Sequence, residues 1–383
     1  MLDIAAPLRQ WCRDGRDFAV ATVTAVRGSA PRQPGAALAV DADGTVVGSV
    51  SGGCVEAAVY ELCVRSLTTG ATLVERFGHQ DDDPFAVGLT CGGEIDVLVT
   101  PVRAKPGAPP ERATVEAALD TAASGRPAAL ARIVAGPAGL LGRVLHVRID
   151  GTHEGTLGST AELDRTAARQ AAAFLHNGHT GTVGLGAEGL RCGEPVTLFI
   201  ETSLPPPRML VFGAVDFAAA LARAGRFLGY RVTVCDARPV FATAARFPDA
   251  DEVVTQWPDR YLDSQRLDAR TAVCVLTHDA KFDIPLLRRA LRLPVAYVGA
   301  MGSVRTHRTR VEGLRAAGVT EAELARLRSP IGLDLGARTP EETALSIVAE
   351  IVALRHGGSG VPLTGCESPI HHDPVAPAAA PPH

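Results

Sequence analysis

A cysteine directly behind two glycines is the combination of residues in this sequence that is best suited to chemistry. Residues 46–50 read as a strand, Gly52 and Gly53 as a tight turn, and Cys54 as the beginning of a helix. Glycines before a helix leave backbone N–H groups that point outward and form a cradle for an anion. The helix dipole lowers the pKa of a thiol in the first turn and favours the thiolate. We therefore predict Cys54 as a catalytic and metal-binding residue, with Gly52 and Gly53 in its ligand site.

Two further stretches carry groups that suit the same chemistry. Cys91 lies beside Gly92 and Gly93, and such glycines allow the backbone to approach a ligand closely. A loop upstream supplies two guanidinium groups and a hydroxyl, from Arg27, Arg32 and Ser29. The planar fork of arginine suits phosphate and pterin-like ligands. Together with Cys54 and Cys91 as soft sulfur ligands, these donors fit a metal–sulfur–phosphate cofactor better than a hard metal ion.

Ordinary structural roles remain open for these residues. A lone cysteine is usually a small core hydrophobe, and four other cysteines lie in apolar patterns that predict a core: Cys12, Cys63, Cys235 and Cys274. Cys91 has a counterpart at Cys192, which favours a structural role for both. The loop over residues 28–35 is also compatible with an ordinary hairpin turn.

Polar groups follow several predicted strands in the C-terminal half. Asp236 ends the second strand, where an acid would bind a ribose hydroxyl. His278 follows the next predicted strand and is either a ligand-binding residue or a structural cap. Gly302, Ser303 and Arg305 open a helix after the strand that follows, and a helix N-terminus of this kind can hold a phosphate.

The loop after the first of these strands departs from the dinucleotide-binding fingerprint. That fingerprint needs G-x-G-x-x-G/A, whereas residues 213–218 read GAVDFA. The side chain of Val215 blocks close approach of a pyrophosphate, and Asp216 adds like-charge repulsion. We predict that this loop binds dinucleotides poorly.

The elements that position these residues predict an α/β protein. Strands alternate with helices after residue 208, which predicts a Rossmann-like, doubly wound parallel sheet. The N-terminal part reads as α+β, and Pro205–Pro207 mark the clearest boundary. The predicted segments are 1–104, 112–204, 208–357 and a disordered tail over 358–383.

The first two segments resemble each other. FAVATV at 18–23 recurs as AALARI at 128–133, and GLTCGGE at 88–94 recurs as GLRCGE at 189–194. We infer a degenerate internal duplication, each copy with two or three strands and one helix, although chance similarity is an alternative. Cys54 has no counterpart, because the second copy reads GSTA at 158–161.

Composition excludes several classes of partner. The net charge is −4 and no basic footprint is present, which argues against nucleic acid. The sequence contains no run of 18 apolar residues, so it predicts no membrane span, and it shows no signal-peptide pattern at its start. The eight cysteines are scattered without a CxxC pair, which argues against structural zinc and favours free thiols in a reducing cytoplasm.

Taken together, these stretches resemble the XdhC/CoxI family of accessory proteins for xanthine dehydrogenase and carbon monoxide dehydrogenase. The resemblance covers about residues 15 to 357. The matching motifs are GSAPRQPG (28–35), GSVSGGCVE (48–56), GLTCGGE (88–94), THDAKFD (277–283), YVGAMGSVRT (297–306) and SPIGLDLGARTPEE (329–342).

The resemblance implies a maturation factor that acts without turnover of its own. Such a protein would bind the molybdenum cofactor (molybdopterin or its dinucleotide form), protect it, assist its sulfuration and deliver it to a molybdenum hydroxylase apoenzyme. The implied partners include a cysteine desulfurase and a second copy of the chain. The family usually shows Gly-Ala-Gly-His after the first Rossmann strand, where this chain has Gly213-Ala-Val-Asp216.

A Rossmann oxidoreductase that uses NAD(P) is the alternative from a different class. The loop with Val215 and Asp216 argues against it, and it leaves the Gly/Cys motifs of the N-terminal segment unexplained. Thermal stabilisation by nicotinamide dinucleotides would favour the oxidoreductase, and thermal stabilisation by molybdenum cofactor would favour the maturation factor.

Overall fold

The fold is taken from a computed structural model, which describes residues 1–78, 92–104, 112–185 and 195–365. The chain divides into two compact units, Met1–Pro205 and Pro206–His383. The division falls in the proline run at 205–207, and the segments 1–104 and 112–204 lie together in the first unit.

The described residues of the first unit form two antiparallel sheets. The first sheet has the order β3-β2-β1-β5-β4, with β1 (Phe18–Arg27), β2 (Ala37–Asp41), β3 (Val46–Gly48), β4 (Leu73–Phe77) and β5 (Glu94–Val102). The second has the order β8-β7-β6-β10-β9, with β6 (Ala128–Ala135), β7 (Val144–Arg148), β8 (His153–Thr156), β9 (Gly181–Leu185) and β10 (Val196–Ser203). The two sheets therefore share one strand order.

The helices of the first unit also occur at matching places. They are α1 (Ala5–Arg13), α2 (Glu56–Thr69), α3 (Arg112–Ala123) and α4 (Ala161–Asn177), with short 3-10 helices at Leu2–Ile4 and Ala138–Leu140. Each half thus runs helix, three strands, helix, two strands. We expected two or three strands and one helix per copy, whereas each half has five strands and two α-helices among its described residues. The number was underestimated because strands such as β3 and β8 are mostly exposed and show no clear apolar alternation.

The sheets of the first unit are buried on both faces. On β1, Ala19 and Ala21 belong to a core cluster with Val59 of α2, while Phe18 and Val20 belong to a second cluster with α1 and α3. Successive side chains point to opposite faces of a strand. Because both faces are covered, β1 reads as a continuous apolar run.

The second unit contains a six-stranded sheet that is parallel throughout its described strands. Its order is β13-β12-β11-β14-β15-β16, with β11 (Arg208–Phe212), β12 (Arg231–Asp236), β13 (Glu252–Thr255), β14 (Ala272–Val275), β15 (Tyr297–Ala300) and β16 (Leu327–Arg328). In chain order this is 3-2-1-4-5-6, the Rossmann arrangement. The predicted doubly wound sheet is confirmed.

Helices follow the parallel strands as the alternation predicted. They are α5 (Asp216–Phe227), α6 (Pro258–Asp263), α7 (Ala280–Ala290), α8 (Val304–Ala316), α9 (Glu321–Leu324) and α10 (Pro340–His356). Thr339 caps α10 in a capping box with Glu342, as its sequence indicates. Within the described ranges, no helix is long and apolar enough to cross a membrane.

Candidate functional site

The loop that connects β3 to α2 carries the Gly-Gly-Cys motif. Gly52 and Gly53 have φ of +75° and +128°, a region that side chains other than glycine rarely adopt. Helix α2 begins at Glu56 with Val55 as its N-cap. Cys54 therefore lies just before the helix and not in its first turn, because the backbone becomes helical only after Val55.

The amide cradle of this loop is occupied by the protein's own carboxylate. Glu56 accepts hydrogen bonds from the backbone N–H of Ser51 at 2.9 Å and of Gly53 at 2.7 Å. It also accepts from the hydroxyls of Ser49, at 2.6 Å, and Ser51. The expectation that these amides are bare is wrong, because the helix begins with an acidic residue that folds back onto them.

These contacts determine the ionisation of Glu56. Burial opposes the charged form, but the hydroxyls of Ser49 and Ser51 and the backbone N–H groups of Ser51 and Gly53 outweigh it and lower the pKa of Glu56 to about 2. Glu56 is thus a permanent anion at neutral pH. It fixes the shape of the loop that ends in Cys54.

The second half of the unit has the same kind of hydrogen bonds to a helix carboxylate, but it lacks counterparts of Gly52, Gly53 and Cys54. Thr156, at the end of β8, donates to Asp164 in α4 at 2.8 Å, and the backbone N–H of Leu157 donates to the same carboxylate at 2.8 Å. A hydroxyl bound to a helix carboxylate is therefore common to both halves. Gly52, Gly53 and Cys54 are what distinguishes the first.

Cys54 differs from most of the other thiols in its exposure. It is half-buried at the margin of the core, whereas Cys63, Cys235 and Cys274 are buried. Burial raises the pKa of Cys63 and of Cys235 to about 12, and it raises that of Cys274 as well. Cys12 is half-buried like Cys54, and burial raises its pKa to about 12. Cys91 and Cys192 lie outside the described residues.

The loop after β1 and the glycines before β5 lie against each other. A Cβ atom on Gly93 would stand 2.0 Å from the carbonyl oxygen of Ser29, so only glycine fits there. Gly92 has φ of +74°. Two motifs that are about 60 residues apart in sequence therefore meet, because β1 and β5 pair with Arg27 opposite Glu94.

Both arginines of this region are already paired with carboxylates. Arg27 donates to Asp96 at 3.0 Å, and Arg32 donates to Asp3 at 3.3 Å. Each guanidinium is about half exposed, so the ion pairs are weak and a ligand anion can compete for them. Binding of a ligand anion by Arg27 and Arg32 thus stays a prediction.

A cavity of about 550 Å³ opens beside Arg32. One wall comes from the loop over residues 31–36, and the other comes from Thr180 and residues 201–204 of the second half. The sequence did not predict this second wall, because the apolar pattern of β9 and β10 does not show that the start of β9 and the end of β10 face the Arg32 loop.

A buried ion pair joins the two sheets nearby. Arg132 of β6 donates to Glu201 of β10 at 2.7 Å and to the hydroxyl of Thr22 on β1 at 3.1 Å. Arg132 and Glu201 are almost completely buried. Arg132 stands at the fifth position of β6, and Thr22 stands at the fifth position of β1, so equivalent positions contact each other.

In the second unit, Asp236 is fully engaged within the protein. One oxygen accepts from the backbone N–H and the Nε of Arg238, both at 2.9 Å. The other accepts from the backbone N–H of Ala214 and from Nη2 of Arg238, both at 2.8 Å. A carboxylate has about four lone-pair sites, so a ribose hydroxyl would have to displace one of these donors.

The other predicted residues of this unit lie at the ends of β14 and β15. His278 is exposed, and the adjacent Asp279 caps α7 in its place. Ser303 caps α8 by accepting from the N–H of Thr306 at 3.1 Å, with Gly302 preceding it at φ of +151°. Arg305 is exposed in the first turn of α8, so an anion-binding role there stays a prediction.

Sequence reasoning missed the buried ion pair that holds these strand ends together. Arg310 of α8 donates to Asp283 of α7 at 2.9 Å, to the carbonyl of Met301 at 2.8 Å and to Ser329 at 3.1 Å. The hydroxyl of Thr277 also donates to Asp283. Polar residues at the ends of apolar strands were the available signal.

These features define a class: a paired antiparallel unit with a Gly-Gly-Cys loop, followed by a Rossmann unit. The chain belongs to the XdhC and CoxI family. A family model described as the XdhC and CoxI family matches residues 11–78, and one described as the XdhC Rossmann domain matches residues 209–351.

Several relatives match over most of the chain. A protein of Bacillus subtilis named as a probable subunit of xanthine dehydrogenase is 26% identical over 89% of this chain and 94% of its own. A molybdenum cofactor insertion chaperone of Escherichia coli, PaoD, is 26% identical over 89% and 84%. The crystal structure of a xanthine dehydrogenase from Bacillus halodurans has a TM-score of 0.67 and 25% identity, covering 91% and 95%.

Proposed function

We propose that this chain binds the molybdenum cofactor as cargo and delivers it to a molybdenum hydroxylase apoenzyme. The likeness to a relative named as a molybdenum cofactor insertion chaperone, over most of both chains, supports this role. The site supports it through the arginine loop, which offers donors for phosphate, and through the half-buried thiol of Cys54 in the same sheet unit.

One observation carries the assignment of Cys54. The hydrogen bond from a hydroxyl to a helix carboxylate occurs in both halves of the first unit, whereas Gly52, Gly53 and Cys54 occur only in the first half. Folding of the loop therefore does not require the thiol. We assign Cys54 as the soft ligand that touches molybdenum or holds a sulfur in transit, with Cys91 as a second sulfur ligand.

The finer parts of the proposal follow from this chemistry. Assistance in sulfuration needs a sulfur donor, and a cysteine desulfurase is the class of partner that supplies sulfur to a thiol. The hydroxylase served is of the xanthine dehydrogenase or carbon monoxide dehydrogenase type. We further propose that the chain acts in the cytoplasm as a homo-oligomer.

An NAD(P)-dependent oxidoreductase is the second candidate, and the Rossmann strand order favours it. The site opposes it at two points. Val215 stands where the fingerprint needs its second glycine, and the acceptor sites of Asp236 are engaged by Ala214 and Arg238. The chaperone proposal therefore has the better support.

The test replaces Cys54 with serine, which nearly keeps the shape and removes the soft ligand. Cys54→Ser should reduce molybdenum retained after anaerobic purification by at least about ten-fold, because a serine hydroxyl stays protonated at neutral pH and is a weaker metal donor than a thiolate. Activation of an apo-hydroxylase should fall with it, while circular dichroism stays unchanged.

Cys12→Ser is the matched control, because Cys12 is also half-buried and lies in the same unit. It should retain metal and activate the partner as the parent protein does. If Cys54→Ser behaves like Cys12→Ser in both assays, Cys54 is only structural.

A further inference from the structure

The cavity beside Arg32 has the size and walls of a small-molecule site. Its volume of about 550 Å³ lies within the range of ligand pockets, roughly 300–1,000 Å³. The walls belong to both halves of the first unit, and they combine two prolines and two leucines with charged and amide groups. An occupant must therefore be a compact molecule with apolar faces and polar edges.

The two charged side chains that are available in the cavity have opposite signs. Arg32 and Asp3 pair at 3.3 Å, and their side chains are 44% and 34% exposed, so this ion pair is weak. The other oxygen of Asp3 lies 3.4 Å from the amino group of Met1. Glu201 also lines the cavity, but Arg132, the backbone N–H of Leu2 and the amino group of Met1, at 2.6 Å, engage its oxygens. The ligand that suits Arg32 and Asp3 has an anionic group and an edge of N–H donors.

The neutral lining groups add directional contacts. Within the described ranges, the side chains of Gln33 and Ser203 make no hydrogen bond, so both are available to a ligand. Thr180 and Thr202 are bonded to each other at 3.2 Å. Pro31, with its rigid ring, offers an apolar surface for a planar ring system.

We infer that this cavity binds the pterin and phosphate end of the cargo. Asp3 accepts from the amino and ring N–H groups of the 2-amino-4-oxopyrimidine edge, and Arg32 donates to the phosphate. The ion pair of Arg32 with Asp3 is thereby exchanged for two charge-assisted contacts, which are stronger than neutral hydrogen bonds, while the contact of Asp3 with the Met1 amino group is kept. This inference rests on the proposed function, but its residues differ from the Cys54 loop and can be tested separately.

The experiment titrates the full chain with two fluorescent probes. One is the phosphorylated pterin that oxidation of molybdopterin produces, and the other is the same pterin after phosphatase treatment. Arg32→Ala should weaken binding of the phosphorylated probe by at least about ten-fold, because it removes a charge-assisted contact, and should leave the dephosphorylated probe unchanged. Asp3→Asn should weaken both probes by the same factor.

The exposed pair of Arg13 and Asp120, at 3.6 Å in the same unit, supplies matched controls. Arg13→Ala and Asp120→Asn should bind both probes as the parent chain does. Ser203→Trp fills the cavity and should abolish binding of both probes, with circular dichroism reporting the fold.

The possible outcomes separate the two proposals. If Arg32→Ala weakens both probes equally or neither, or if Ser203→Trp still binds them, the cavity is not the pterin site. If the parent chain retains molybdenum and activates the hydroxylase but binds neither probe, this inference fails and the proposed function stands. If the parent chain retains no molybdenum and does not activate the hydroxylase, the proposed function is wrong, and this inference, which rests on it, is wrong as well.

Discussion

At the scale of single residues, Glu56 decides the form of the loop that ends in Cys54. Its carboxylate takes the amide hydrogen bonds that a bound anion would otherwise receive. An anionic ligand at this loop would meet a fixed negative charge. Under the proposed function, the cargo would meet this loop through its metal, and the arginines would bind its phosphate.

The pH dependence of stability tests the role of Glu56. Its pKa in the folded protein is about 2, below the ordinary value of 4.5. The stabilisation is therefore fully present above pH 4.5 and is lost as the pH falls towards 2. Glu56→Gln should lower the free energy of unfolding at pH 7 by about 1–3 kcal/mol.

Denaturant titrations of the parent chain and of Glu56→Gln across this pH range provide the measurement. Their difference should be constant near neutrality and should shrink below pH 4.5. Glu61→Gln, an exposed position on the same helix, should show no such difference. A gap between parent and Glu56→Gln that does not depend on pH would contradict this account.

At the scale of elements, the pairing of β1 with β5 brings two motifs together. The approach of Gly93 to the carbonyl of Ser29 leaves no space for a methyl group. Arg27, Ser29 and the glycines before β5 therefore form one local structure, and the strand register maintains it.

Gly93→Ala tests this close approach. The added Cβ should force the loop after β1 to shift and should lower the free energy of unfolding by about 1–3 kcal/mol, as overpacking does. Gly139→Ala, with open space around its Cβ position, should change it little. Equal stability of the two variants in urea titrations would show that the loop gives way at no cost.

The loop between β11 and α5 supports a second prediction at this scale. Calorimetry should detect no micromolar binding of NAD or NADP to the parent chain, because Val215 and the engaged Asp236 leave no place for pyrophosphate and ribose. Val215→Gly should improve binding if the side chain is the obstacle. Micromolar affinity in the parent chain would revive the oxidoreductase alternative.

At the scale of the whole molecule, the sequence predicts the second unit better than the first. Parallel strands such as β14 are buried and apolar along their length, and Thr339 marks the start of α10 with a capping box. Such signals are local. The exposed strands β3 and β8 have no comparable pattern, so the size of each half was underestimated.

The candidate site was predictable in its residue types and not in its contacts. Glycines near Cys54 indicated a special loop, but the sequence could not show that Glu56 turns back onto Gly53. Equally, Asp283 and Arg310 lie 27 residues apart and become partners only when α7 and α8 pack. These contacts depend on tertiary geometry, which periodicity does not encode.

The contact between Thr22 and Arg132 has a consequence for stoichiometry. Equivalent positions that touch lie close to a local pseudo-two-fold axis, as they would in a homodimer. A true homodimer of the first half would place threonine against threonine at such a point and would carry two identical thiol loops. Two halves in one polypeptide can carry different residues at equivalent positions, so one half keeps Cys54 and the other supplies the partner side chains. We therefore expect one cofactor per chain.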